Sequence, residues 1–579
     1  MVNPALDSHV LWRPDRPPLP FDDRTIPLTS APHQDPADLI TGAVTHHRAG
    51  RLAEAQALYR RVLEIEPGHA DGLHLMGVLA FQVGRADIAA DMIGRAISVD
   101  GQIARYHQSL GTALAARNRP AEAAASFRRA LALDPELVDA HNALGNALGA
   151  LGRHREAAES YRQALTLAPD VAGLHNNLGN ALAAAGRLEE AVDGYRRALA
   201  LDPGYADAEN NLGNTLSGLV RLADAAACYQ RVLTARPDHV EAHNNLGTVF
   251  RDLGRFDEAA ACFERCLALA PGKPEAHNNL GSVLRDLGRA GEAAESYRRA
   301  LALAPDALDV LANLATALAD LGQIDGAAAY LRRCLALDTE DRHGFGLRLA
   351  ALGAGPLPER VSAAHLETLY DRRAHVWDQR AGGARPYRGA ELVARTLGEL
   401  LGDSGPVDIL DAGCGTGLVG TLVVRHARRL DGIDLSPPML ARARHKGLYH
   451  ALHHGDLVAF MADRPLAYDA VTCAATLIHL RDLGPAFAAA AVTLRDGGLF
   501  ICTLFPNDDE REGAEVAAGS FRGLVQGGCY VHGRAHVARQ AEAAGFTVET
   551  LADEIHEYHK GQPAMGLIVA LRRRPRERA

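Results

Sequence analysis

Lysine is nearly missing from this chain of 579 residues, which has it only at Lys273, Lys446 and Lys560. Arginine supplies almost all the positive charge, yet the formal net charge is −10. That balance offers no basic footprint for nucleic acid. The cluster Arg572, Arg573, Arg574, Arg576 and Arg578 reads as a solvated end rather than a binding patch. Aromatic residues are sparse at 5%. No apolar run approaches the ~18 residues that cross a bilayer, so no membrane partner is expected. The first twenty residues have neither the charged region nor the apolar run of a secretory signal. Eight cysteines show no C-x-x-C pair and no disulfide-framework spacing. No metal site is expected from them, and the expected compartment is the reducing cytoplasm. The chain is too long for one hydrophobic core, which predicts at least two domains.

What is present in abundance is repetition. Nine stretches recur with a period of 34 residues, beginning near 36, 70, 104, 138, 172, 206, 240, 274 and 308. One of them reads His175, Leu178, Gly179, Leu182, Ala191, Tyr195, Ala198 and Pro203. The small residue of the second helix is alanine in all nine, from Ala55 to Ala327, as a close helix–helix approach requires. Proline closes seven repeats, where it stops the helix. These spacings resemble the tetratricopeptide pattern and predict a helical solenoid over 36–341, stabilised by stacking of neighbours. The first 35 residues hold seven prolines and read as a disordered leader.

Two polar rows run along the first helices. Asn177, Asn211, Asn245, Asn279 and Asn313 share one position, with Asn180 and Asn214 one turn later on the same face. An amide both donates and accepts, so such a row suits an extended peptide backbone of any sequence. It resembles the inner face of the repeats in protein O-linked N-acetylglucosamine transferases. Bonding between neighbouring helices is the equally weighted alternative. The second row is His107, His141, His175, His243 and His277. Helices pack ~8–10 Å apart, whereas zinc needs ligands converging at ~2 Å. These histidines are therefore expected to pack, not to bind metal.

Beyond Asp341 the period stops, and short apolar runs alternate with helical stretches. The runs are VDILDAG, RLDGIDL, YDAVTCAA, LFICTL, FTVETLA and GLIVAL. They predict a doubly wound α/β domain over 387–574, after a linker and lid-like helical segment at 342–386 and before a short tail at 575–579. The first strand runs into Asp411-Ala412-Gly413-Cys414-Gly415-Thr416-Gly417, at the strand edge where ligands bind in this architecture. Glycine is needed there because the chain turns sharply and a ligand must lie against bare backbone. Asp434 closes the second strand, 23 residues on, where a carboxylate accepts from both hydroxyls of a ribose.

In order, D-x-G-x-G-x-G, GIDLSPPMLARA, HHGDL and YDAVTCAATLIHL resemble the motif set of class I S-adenosylmethionine methyltransferases. By that resemblance Gly413, Gly415 and Gly417 approach the amino-acid part of S-adenosylmethionine, and Asp411 helps hold its amino group. Asp434, beside Leu435, would grip the ribose; Asp456 would contact the adenine amino group, with Leu457 beside the ring. The match runs on through HLETLYDRRAHVWDQ, ARPYRGAELV, KGLYHALHHGDLVAFM and CYVHGRAHVARQAEAAGF, which resemble a bacterial family of predicted methyltransferases containing tetratricopeptide repeats. One departure stands out: Ala475 occupies a position where relatives tend to be acidic, and His479 their aromatic position.

Methyl transfer from a sulfonium is an in-line displacement, so positioning and exclusion of water can supply most of the catalysis. A base is needed only for a protonated nucleophile. His479, after the fourth strand, is the first candidate and His532 the second. Tyr370, Trp377 and Tyr387 precede the first strand and suit either an aromatic lid or simple packing. Cys414 and Cys473 lack a base partner in sequence and are not expected to be nucleophiles. The expectation is a methyltransferase whose repeats recruit or present a protein or peptide on their concave face. Its rivals are a scaffold with a vestigial catalytic domain and a small-molecule or glycan methyltransferase docked through its repeats.

Overall fold

Each 34-residue period folds as a helical pair, a 13-residue helix followed by one of 14 residues. In the computed structural model the described residues are 35–358, 360–374, 377–378, 387–506, 530–559 and 562–576. The proline-rich leader, residues 379–386 of the segment expected as a lid and the last three residues lie outside them. The chain divides into two compact units between Pro271 and Gly272. The first holds seven pairs, from Pro36–Arg48 with Leu52–Ile65 to Val240–Asp252 with Phe256–Leu269. The second holds the remaining two, Pro274–Asp286 with Ala290–Leu303 and Leu308–Asp320 with Ile324–Leu337, followed by the α/β domain.

The repeat signature has a direct steric cause. The nine alanines from Ala55 to Ala327 are fully buried. In each of the middle repeats a glycine of the first helix faces an aromatic ring of the second. A Cβ on Gly179 would lie 2.6 Å from the Tyr195 ring, and the same holds from Gly111 with Phe127 to Gly281 with Tyr297. The turn between paired helices needs a left-handed residue. Glycine fills it in seven repeats at φ 70–83°, while Asn118 and Val220 fill the other two.

In the second unit a short helix, Phe345–Ala351, follows the ninth repeat and precedes the helix Ala363–Arg373. The sheet then contains β1 (Val407–Ala412), β2 (Ala427–Asp434), β3 (Ala451–His454), β4 (Tyr468–Cys473), β5 (Leu494–Leu504), β6 (Phe546–His559) and β7 (Gln562–Arg573). Their order is β3-β2-β1-β4-β5-β7-β6. The first five are parallel, and β7 runs antiparallel between β5 and β6. Leu410, Val471 and Phe500 feed the core on one face, and Ile409, Ala470 and Ile501 the core on the other. Burial on both faces explains the continuous apolar runs. One strand more than the six expected is present, because β3 is only four residues long and half of it is histidine.

The basic tail needs correction. Arg572 and Arg573 belong to β7. Arg572 pairs with Glu549 at 2.7 Å, and Arg573 is 5% exposed and donates to the Leu494 carbonyl. No helix among the described residues is long and apolar enough to cross a membrane.

Candidate functional site

β1 is flanked by β2 on one side and β4 on the other, so chain direction across the sheet reverses there and a cleft opens at the carboxyl ends. The cleft is partly open, with about 790 Å³ of non-atom space that includes open solvent. Its floor is the turn after β1. Gly413, Gly415 and Gly417 adopt φ of 77°, 54° and 87°, a region costly to residues with a Cβ. They are not equivalent. A Cβ on Gly413 would overlap the Thr476 side chain, whereas one on Gly415 would meet nothing within 4 Å. Gly415 thus offers bare backbone to the cleft, and Gly417 leads into the helix Leu418–Val423.

Asp434, at the end of β2, lines this cleft. Its Oδ2 accepts from the Gly415 N–H at 2.8 Å and its Oδ1 from the Ser436 N–H at 2.9 Å. Burial pushes its carboxyl above the usual range, and the backbone donors oppose that shift. Asp411 is placed differently. It is fully buried, does not line the cleft, and accepts from the Tyr449 hydroxyl at 2.7 Å and the Thr472 hydroxyl at 3.2 Å. Burial raises its carboxyl to about 6.

Leu435 and Leu457 line the cleft beside Met439 and Gly455. Asp456 caps the helix Leu457–Ala462, with Oδ1 accepting from the Val458 and Ala459 N–H groups, while Oδ2 faces Arg360 at 3.4 Å. One oxygen of its carboxylate thus serves the helix cap, while the side chain stays 38% exposed.

The opposite wall is aromatic. Tyr370, Trp377 and Tyr387 all line the cleft, with Trp377 5.7 Å from Tyr370 and 6.3 Å from Tyr387 between ring centroids. His479 lines it too, 3% exposed, with Nε2 2.8 Å from the Tyr370 hydroxyl. Beside it Ala475 holds a left-handed φ of 53°, and its N–H donates to Thr503 Oγ1 at 2.9 Å. Backbone in that region is rare for a residue with a Cβ and concentrates at functional turns. His532 does not join His479. It lies outside the cleft lining, 1% exposed, with Nε2 2.9 Å from the Leu480 carbonyl, and burial lowers it to about 4. Burial keeps the cysteines protonated, lifting Cys473 to about 12 and Cys414 well above its usual value.

In the first unit the asparagines bond to one another. Asn177 Nδ2 donates to Asn142 Oδ1 at 3.0 Å, Asn211 to Asn176 and Asn180 at 3.1 Å, and Asn245 to Asn214 at 2.9 Å. Tyr195 and Tyr229, from the second helices, donate to the same Asn180 and Asn214 oxygens. In the second unit Asn313 donates to Asn278 at 3.0 Å. His107, His141, His175 and His243 each bond, through Nε2, the carbonyl six residues earlier. Both rows therefore stitch neighbouring elements together.

Several residues in or next to the cleft wall carried no signal in the sequence. Thr416 donates to Asp378 at 2.5 Å, Asp378 also pairs with Lys446, and Ser436 Oγ donates to Asp371 at 2.6 Å. Their partners are far apart in the chain. Only the position of Ser436 before Pro437-Pro438 announces its role, as the cap of the helix Pro437–His445.

Residues 381–551 match the family described as Methyltransferase domain. Tetratricopeptide repeat families match at 43–61, 111–152, 142–206, 210–274, 246–307 and 284–350. A ubiquinone biosynthesis O-methyltransferase of Aeromonas salmonicida is 30% identical over 157 residues, 25% of this chain and 64% of that protein. One of Cronobacter sakazakii is 30% identical over 173 residues, 28% of this chain and 67% of that protein. The chain thus spans slightly under two thirds of the Aeromonas protein. The solved structure of YrrB, described as a TPR protein with an unusual peptide-binding site, is 24% identical with a TM-score of 0.29, covering 32% of this chain and 97% of that one.

Proposed function

The chain belongs to the methyltransferases that carry tetratricopeptide repeats, and from that premise we propose that it transfers a methyl group from S-adenosylmethionine to an acceptor recruited or presented by its repeats. The observation that carries this reading is the pairing of Gly415 with Asp434. An open glycine backbone lies beside a carboxylate whose direction is already fixed by two N–H donors. That cradle fits the cofactor: Gly413 and Gly415 would hold its amino-acid part, Asp434 its ribose hydroxyls, and Leu435 and Leu457 its adenine. Asp456 serves the adenine end by fixing the helix that carries Leu457. Asp411 acts from behind, holding Tyr449 against the glycine turn. Bound there, the cofactor supplies an electrophilic methyl group.

The chain's own contribution is placement. Tyr370, Trp377 and Tyr387 exclude water along one wall, and a dry, ordered cleft serves an in-line displacement. For an acceptor hydroxyl, which arrives protonated, His479 is the base, because it alone of the two candidate histidines lies in the cleft lining. The O-methyltransferase activity for which the relatives are named supports an oxygen acceptor. On the repeats, the Asn177, Asn211 and Asn245 amides of the first unit, and the Asn279 and Asn313 amides of the second, are each offered to a protein or peptide, whose backbone would add to or exchange with the bonds of the row.

The test is calorimetric titration of the full chain with S-adenosylmethionine. Micromolar binding is expected, with Asp434→Ala weakening it at least 100-fold. A folded protein that binds no cofactor would sink this reading in favour of a scaffold. Labelled cofactor then shows whether methyl enters protein or small molecules.

A further inference from the structure

Within the second unit, one short segment touches three parts of the cleft and the end of the repeats. At its start Arg360 faces Asp456 at 3.4 Å, and the Val361 N–H donates to the His479 carbonyl at 3.0 Å. Ser362 then caps the helix Ala363–Arg373 while its hydroxyl donates to the Glu340 carbonyl at 2.7 Å. His365 Nδ1 sits 3.0 Å from the Arg342 carbonyl, and its ring lies so close to Gly344 that a Cβ there would come within 2.9 Å. Glu340, Arg342 and Gly344 form the turn leaving the ninth repeat. The far end of the helix carries Tyr370, on His479, and Asp371, which accepts from Ser436 Oγ at 2.6 Å. Ser436 in turn gives its N–H to Asp434. Beneath these polar contacts Leu347, Val361, Leu366 and Tyr530 form one apolar cluster, on which the cleft residue Leu435 packs.

We infer that the segment 360–373 makes the ninth repeat a working part of the cofactor cleft, with Asp371 the positioning residue that holds Ser436 and, through it, the Asp434 carboxylate. The inference rests on the cofactor reading above. Ser436 is 1% exposed, so its hydroxyl needs a buried acceptor and has one only while the helix stays docked. The helix is held at its first turn by backbone carbonyls of the repeat terminus. A movement of that terminus therefore shifts Asp371 and Tyr370 together.

The test uses the full chain and S-adenosylmethionine itself. Asp371→Ala is expected to weaken cofactor binding about 10-fold, because the Ser436 hydroxyl loses its acceptor. Asp371→Asn keeps an oxygen for that hydroxyl and should bind within about threefold of the parent. The double variant Ser362→Ala, His365→Ala, at two side chains that do not line the cleft, should weaken binding about fivefold. Equal loss in Asp371→Ala and Asp371→Asn, or no loss in Asp371→Ala and the double variant, overturns the inference. Amide hydrogen exchange over residues 434–440 separates this from failure of the cofactor reading. If the parent binds no cofactor, exchange there should still quicken in Asp371→Ala and in the double variant, and unchanged exchange overturns the coupling. A variant that unfolds is replaced by Asp371→Ser, which leaves the same hydroxyl without a carboxylate oxygen.

Discussion

Asp411 and Asp434 illustrate how the same side chain is put to different use by its surroundings. Both end neighbouring parallel strands, and both are raised by burial. Asp434 faces the cleft and is oriented by backbone N–H groups that cannot move away. Asp411 sits behind the turn and is held by two hydroxyls, with its carboxyl at about 6. The folded state therefore binds a proton on Asp411 that the unfolded state, at 3.8, has released. Its contribution to stability is complete below 3.8 and is lost as pH rises towards 6. Asp411→Asn, which removes the buried charge but keeps the shape, should raise the melting temperature at pH 7.5, by up to roughly 3 kcal/mol in stability. The gain should vanish near pH 4. Melting curves of parent and variant at the two pH values check this, and an equal gain at both would exclude the proton on Asp411 as the cause.

Elements of the repeats follow from spacing, and their one local fault is visible against it. Val220 takes the left-handed turn, at φ 60° and 76% exposed, where seven repeats use glycine. A β-branched side chain in that region costs on the order of 1–2 kcal/mol. Val220→Gly should therefore raise the unfolding midpoint of the helical signal by a few degrees, measured by circular dichroism on heating. No rise would mean that Val220 makes contacts offsetting the strain. The helix-period pattern also located all nine pairs, because small residues and glycines recur wherever helices touch. Bonding within the asparagine row was one of two open readings, since an amide on a helix face shows its chemistry but not its neighbour. β3 escaped for a different reason. A four-residue strand is defined by its pairing with β2, not by its composition.

For the whole molecule, acid is the revealing stress. His74 in the first unit, and His532 and His556 in the second, are buried and lowered to about 4 from the ordinary 6.5. For each, the unfolded chain takes up a proton between 6.5 and 4 that the folded chain refuses. Stability present above 6.5 is lost as pH falls through that window. Asp411 shifts stability the opposite way over part of it, but three histidines outweigh one carboxylate. The melting temperature should therefore fall steeply from pH 6.5 to pH 4, and His556→Asn should flatten the fall in the second unit. A profile flat over this range would count against neutral buried imidazoles.

The repeat number, the helix pairs, the parallel sheet and the glycine turn with Asp434 beyond it were legible in the chain alone. Each of these is written in spacings of tens of residues or fewer, and local sterics enforce them. Packing settled where single side chains lie: His479 lines the cleft and His532 does not, Asp411 is fully buried, and Asp456 caps a helix. The link from Glu340 through Ser362 and Asp371 to Asp434 also appears only in three dimensions. Hydrogen bonds between residues 65 to 109 positions apart, such as Asp371 with Ser436 and Tyr370 with His479, depend on where whole elements pack, and no local pattern encodes them.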